Sequence, residues 1–214
     1  MNTIKPGKFI SIEGIEGAGK STALQTIKKH LAQEGIDAVI TREPGGTDIA
    51  ERIRHLLLEH HEEKMHAETE VLLMFASRIQ HVKTKILPAL KKGLWVVTDR
   101  FFDASYAYQG SARGLGFERI KELQQWTLGD FEPDMTLLLD VPLDISLERV
   151  RSRKHLDRIE LEEEAFFRNV REMYLHLSDL YSERYRVINS SRSRGTVGRV
   201  ITGHIDSLIS EPAK

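Results

Sequence analysis

The sequence predicts an α/β fold in which a parallel five-stranded sheet is flanked by helices. Three observations predict it. Five short apolar runs show no inside–outside alternation, which fits strands buried on both faces. Long stretches with apolar residues at helical spacing separate these runs, as crossovers between parallel strands require. A glycine-rich turn follows the first run at once, and ligands of such sheets bind beyond the carboxyl ends of the strands. At 214 residues, with 40% hydrophobic and 29% charged residues, the chain suits one domain spanning 1–214 with a core of its own.

The first strand is expected at FISIE (9–13), followed by a helix with Ala23, Leu24, Ile27 and Leu31 on one stripe. DAVIT (37–41) reads as the second strand, and REPGGTD (42–48) as a turn. There Pro44 fixes one φ angle, Gly45 and Gly46 allow a close approach, and Thr47 or Asp48 caps the helix carrying Ile49, Ile53, Leu56 and Leu57. A long helix over 67–90 carries Val71, Phe75, Ile79, Val82 and Ile86, with Pro88 near its end. LWVVT (94–98) is the third strand, and a loop rich in aromatic and polar residues is expected after it. Phe117, Ile120, Leu123 and Trp126 mark a further helix, and MTLLLD (135–140) the fourth strand. The arginine-rich segment 151–158 reads as a mobile lid. A helix with Phe166, Val170, Met173, Leu177 and Leu180, the strand YRVI (185–188) and a helix over 197–209 complete the chain.

Composition narrows the function. A formal charge of -1 gives no electrostatic reason to expect nucleic acid or a membrane as partner, yet a local arginine cluster can still hold a small anion. The absence of cysteine removes disulfides, thiolate nucleophiles and cysteine-ligated zinc. The nine histidines form no spacing that demands a metal. With no signal peptide at MNTIKPGKFISIEG and no membrane span, a cytoplasmic enzyme is expected.

The turn after the first strand is GIEGAGKS: Gly14, Ile15, Glu16, Gly17, Ala18, Gly19, Lys20 and Ser21, with Thr22 next. It fits G-x-x-x-x-G-K-[ST] in the strand–loop–helix setting that a phosphate cradle needs. Its backbone N–H groups converge on a phosphate, Lys20 reaches the outer phosphates, and the Ser21 hydroxyl ligates magnesium. Asp99 and Asp140 both end strands, and Asp99, followed directly by Arg100, is the better candidate for organising metal-bound water. RSRKHLDRIE (151–160) places Arg151, Arg153 and Arg158 beside Asp157, and a lid of this kind can bring guanidinium groups to a phosphoryl group in transfer.

GIEGAGKS, TREPGGT, DRFFDASYAYQG and RSRKHLDRIE together resemble the bacterial thymidylate kinases, from the first strand almost to the terminus. The resemblance implies the phosphate-loop nucleoside monophosphate kinase fold, a homodimer, and transfer of the ATP γ-phosphoryl group to dTMP with Mg2+. It places Glu43 near the acceptor phosphate and sugar, Arg78 and Arg100 as a clamp on the monophosphate, Gln109 at the pyrimidine edge, and Ser105 and Tyr106 along base and sugar. Where relatives place a base-stacking Phe four residues before the arginine, this chain has Met74, with Phe75 one place later; Phe75 is slightly preferred as the base cover. The phosphate loop contains no arginine, which resembles the type whose lid supplies the catalytic charge. Arg153 is the first choice for that role, with Arg149 or Arg151 near adenine or donor phosphates. Lys154 stands where relatives have glycine. Asn189, Ser190 and Ser191 fall where adenine contacts are expected. Another nucleoside monophosphate kinase, or a nucleotide-dependent switch, are the alternative readings.

Overall fold

The structure, a computed structural model, describes residues 7–152 and 156–211. Its centre is a five-stranded parallel sheet built from β1 (Phe9–Glu13), β2 (Ala38–Arg42), β3 (Trp95–Asp99), β4 (Met135–Asp140) and β5 (Tyr185–Asn189). The spatial order is β2-β3-β1-β4-β5. β1 is buried along its whole length and β4 in all but its last residue, so their apolar runs carry no polar face.

Register aligns the carboxyl ends. Ile12 of β1 pairs with Asp99 of β3, and Arg42 of β2 pairs with the same Asp99. The loops that begin at Gly14, Glu43 and Arg100 therefore leave the sheet side by side. Strand order also reverses beside β1, where such sheets open a crevice.

The helices are α1 (Lys20–Gln33), α2 (Asp48–Leu58), α3 (Ala67–His81), α4 (Leu87–Lys91), α5 (Phe102–Ser105), α6 (Phe117–Leu128), α7 (Leu143–Arg151), α8 (Glu164–Leu180) and α9 (Arg194–Ser210). A π-helical stretch over Val82–Ile86 joins α3 to α4, so the expected long helix is one rod with a change of winding. Thr47, rather than Asp48, caps α2: its hydroxyl accepts from the Ala50 N–H. The core side of α2 is Ala50 and Leu57, while Ile49 and Leu56 face outward. The segment expected as a loop after β3 is helical, running through α5 into a π-helical stretch over Tyr106–Ala112. α7 was not foreseen in the chain. Among the described residues, no helix is long and apolar enough to cross a membrane.

Candidate active site

A cleft of about 400 Å³ opens at the carboxyl edge of the sheet. One end is the phosphate loop. Gly17 takes φ 74°, and a Cβ there would come within 2.6 Å of the Ser146 carbonyl oxygen, so only glycine lets the loop pass under α7. Gly19 precedes α1 without a side-chain cap, and the first turn of α1 contains no acidic residue. Its unpaired N–H groups and the positive end of the helix dipole suit an anion. Glu16, Gly17, Gly19, Lys20, Ser21 and Thr22 all line this end. Gly14 and Ile15 form its floor, giving their carbonyls to the Lys20 ammonium at 3.2 Å each.

Lys20 also meets Glu16 at 3.4 Å, and Arg100 Nη2 donates to the same carboxylate at 2.5 Å. Tyr108 Oη donates to the other Glu16 oxygen at 3.1 Å. Burial works against the Glu16 charge, but Arg100 and Lys20 outweigh it and hold the carboxyl at about 2. Lys20 is shifted down, chiefly by burial and then by Arg100. Arg100 takes φ 69°, an unusual left-handed conformation for a residue with a Cβ, and directs its guanidinium to the Gly14 carbonyl and Tyr174 Oη as well.

The other end is built on α3. Glu70, Met74 and Arg78 are spaced four apart, so one face of the helix presents all three. Arg78 is buried and each of its nitrogens has one partner: Nε donates to Glu43 at 2.6 Å, Nη1 to Ser105 Oγ at 2.9 Å and Nη2 to the Phe101 carbonyl at 3.1 Å, which leaves one N–H on each Nη for a ligand. His81 contacts the second Glu43 oxygen at 3.0 Å and Thr41 through its other ring nitrogen at 2.7 Å. A Cβ on Gly46 would lie 2.6 Å from that His81 nitrogen, which explains the glycine after the Glu43–Pro44 turn. Met74, Ser105 and Gln109 line this end too.

Helix phase separates the two residues expected as base cover. Met74 faces the cleft, whereas Phe75 is 2% exposed within the core and lies under Arg78 at 4.8 Å from guanidinium to ring centroid. About 100° of rotation per residue separates the two fates. Tyr106 is likewise a core aromatic. It packs on Phe117 and donates its hydroxyl to Gln124, and Tyr108 lines the cleft instead. Arg42 and Arg54 also line it, unforeseen in the sequence; their placement follows from the register of β2 and the entry angle of α2, which no local pattern encodes.

Asp99 lines the cleft, and its Oδ1 is buried without a hydrogen-bond partner. Asp140 is engaged elsewhere, bidentate with Arg171 at 2.6 and 2.9 Å. No group of three or more His, Cys, Asp or Glu suited to a metal occurs among the described residues. An unpartnered carboxylate oxygen in the same cleft as the Ser21 hydroxyl is a hard oxygen donor set that fits Mg2+ bound jointly with substrate phosphates.

Arg149 on α7 donates to the Gly17 carbonyl at 3.0 Å and the Ser190 carbonyl at 3.4 Å. It forms the wall between the main cleft and a second one of about 270 Å³, lined by Ala18, Ser190 and Arg192 among others. Asn189 does not line either cleft, because its carboxamide accepts from Ser191 and closes the turn. Arg153 and Lys154 lie outside the described residues. Beyond them, Arg158 turns away from the phosphate loop, donating to the Leu57 carbonyl at 3.0 Å and to Glu70 at 2.7 Å.

A phosphate loop that shares one cleft with Arg78 and Arg100 suits a nucleotide phosphotransferase, and the sequence comparisons say which kind. The profile of the thymidylate kinase family matches residues 12–201. The chain belongs to the thymidylate kinase family. The thymidylate kinase of Vesicomyosocius okutanii is 54% identical over 187 residues, covering 87% of this chain and 91% of that one. That of Nitrosomonas europaea is 45% identical over 205 residues, covering 96% and 95%. That of Ectopseudomonas mendocina is 47% identical over 203 residues, covering 95% and 97%.

Proposed function

We infer that the chain is a dTMP kinase, which transfers the γ-phosphoryl group of ATP to dTMP and yields dTDP and ADP. One observation carries this reading beside the family membership: a single cleft holds the α1 N-terminus with Lys20 at one end and the buried Arg78 at the other, with Arg100 tied to the phosphate loop through Gly14 and Glu16. Two phosphorylated molecules placed so meet end to end, and positioning supplies much of the rate.

In this reading Gly14, Ile15, Glu16, Gly17, Ala18, Gly19, Lys20, Ser21 and Thr22 hold the donor phosphates, and Arg149 with the second cleft takes the adenine side. Arg78 and Arg100 grip the acceptor phosphate; Met74, Ser105 and Gln109 receive the base and sugar. Lys20 and Arg153 stabilise charge on the phosphoryl group as it moves. Ser21 and Asp99 would hold Mg2+, which would supply positive charge to neutralise the donor phosphates. The acceptor oxygen is already largely ionised, its second pKa being about 6, so Glu43 needs no strong basicity. Its part is to orient Arg78 and magnesium-bound water.

The same proposal takes 1–214 as a single kinase domain with 151–158 as its mobile lid, working in the cytoplasm. A homodimer fits the outward apolar side chains Ile49, Leu72 and Trp126 on α2, α3 and α6, because α3 packs on both of the others. Leu72→Arg should then yield a monomer by sedimentation.

The deciding experiment supplies ATP and Mg2+ with each monophosphate in turn and identifies the product. dTMP should be phosphorylated well ahead of uridine, cytidine, adenosine and guanosine monophosphates. A faster reaction with any of these would overturn the acceptor assignment, and nucleotide binding without any phosphorylated product would overturn the kinase reading.

A further inference from the structure

Glu70 is 1% exposed, sits one helical turn before Met74, and is not a residue that phosphoryl transfer needs. Burial works against its charge, yet the Gln109 hydrogen bond and the arginines around it keep the carboxyl below its ordinary range. It is thus a carboxylate, which accepts hydrogen bonds and donates none. Gln109 Nε2 donates to its Oε1 at 2.8 Å. Arg158 donates to its Oε2 at 2.7 Å, and Arg113 spans both oxygens, its Nε donating to Oε1 at 3.3 Å and its Nη2 lying 3.3 Å from Oε2.

The two ends of a glutamine amide have nearly the same shape and opposite hydrogen-bonding character. Against a carboxylate only the NH2 end is tolerated, because an oxygen there would face an oxygen. Gln109 lines the cleft at the end where the acceptor base lies in the proposed reading. With its nitrogen engaged by Glu70, the carbonyl oxygen is the end it offers to a ligand.

We propose that Glu70 is a positioning residue for base selection: it locks the Gln109 amide with its carbonyl toward the cleft, so that the site accepts a pyrimidine edge bearing an N3–H donor and opposes one bearing an N3 lone pair. Thymine and uracil belong to the first class and cytosine to the second. The inference rests on the dTMP-acceptor reading and adds to it a reason why the base edge is read in one sense only. A site built around a buried acceptor loses a hydrogen bond and gains a repulsion with the wrong edge, which is the efficient form of discrimination.

dUMP and dCMP isolate this edge, since neither carries the thymine methyl group. The experiment measures kcat/KM for dTMP, dUMP and dCMP with the full chain as wild type, Glu70→Gln, Gln109→Ala and the double variant, with thermal unfolding in parallel. In Glu70→Gln the shorter Arg158 contact takes the new amide oxygen in preference to the longer Arg113 Nε contact, so the NH2 turns toward Gln109 and reverses it. Wild type should prefer dUMP over dCMP by roughly 100-fold, and Glu70→Gln should narrow that ratio about tenfold or more, through KM. Gln109→Ala should narrow it as much, and Glu70→Gln should change the ratio no further in that background. A folded Glu70→Gln protein with the wild-type ratio would overturn the proposal. So would an unchanged ratio in Gln109→Ala, which decides the matter even where Glu70→Gln does not fold. A wild type that fails to phosphorylate dTMP would overturn the acceptor reading itself, a separate result.

Discussion

Arg78 and Glu43 form a buried ion pair with Nε and Oε2 2.6 Å apart and both side chains 2% exposed. The guanidinium that faces the acceptor end of the cleft is therefore held by a carboxylate from the loop after β2. Removing one partner leaves a buried charge uncompensated, which costs about 3–5 kcal/mol, whereas replacing both can be nearly neutral. Arg78→Met should lower stability by that amount and raise the KM for dTMP. Adding Glu43→Gln should restore most of the stability and none of the affinity. Chemical denaturation and steady-state kinetics on the same samples separate the two effects.

Asp99 offers the opposite case. Its Oδ1 has no protein partner, so Asp99→Asn removes no hydrogen bond of the folded state at that atom. Stability should change by less than about 0.5 kcal/mol. Turnover should fall by roughly 100-fold and the half-saturating Mg2+ concentration should rise, as expected for loss of a preorganised electrostatic group. A Mg2+ titration at saturating substrates reads both.

Met74 and Phe75 differ by one position and should fail differently. Met74→Ala should raise the KM for dTMP several-fold while the melting temperature stays near wild type. Phe75→Ala should cost about 3–5 kcal/mol of stability, the range for emptying an aromatic site in a core. Calorimetry and kinetics on the pair test the assignment.

Glu13, wholly buried at the end of β1, is pushed up from 4.5 to about 8 by burial first and by Asp103 second. Phe101 N–H and Tyr174 Oη donate to it at 2.6 and 2.7 Å. The folded protein keeps a proton that the unfolded chain has released, so this group's favourable contribution is complete below 4.5 and is lost as pH rises through about 8. Glu13→Gln should thus gain on wild type as pH rises from about 5 to about 9. A gain of 1 kcal/mol corresponds to roughly 2–4 °C in melting temperature for a chain of this size.

What could be read from the chain follows from how local each signal is. The phosphate loop is contiguous, and β1 and β4 fall where their apolar runs place them, while β2 and β3 begin and end one residue later than expected. Residues 102–112 read as a loop because a segment buried nearly all round has no polar face and hence no period. α7 escaped notice because only Ser146 and Val150 on it are buried, too few to make a stripe. Glu16, Glu43, Arg78 and Arg100 were legible as candidates, but their pairing was not, since the Arg100–Glu16 and Arg78–Glu43 pairs join residues 84 and 35 apart. Tyr108 and Tyr106 carry the same side chain, and only the winding of the π-helical stretch sends one to the cleft and the other inward.

Glu16 touches both Lys20 and Arg100, so two cations of the cleft share a single counter-ion. An anionic ligand that draws either cation to itself frees part of that carboxylate for the other, at separations where interaction through a dry medium is strong. In the proposed reading, where Lys20 meets the donor and Arg100 the acceptor, the first nucleotide to dock would reset the charge balance that the second one meets.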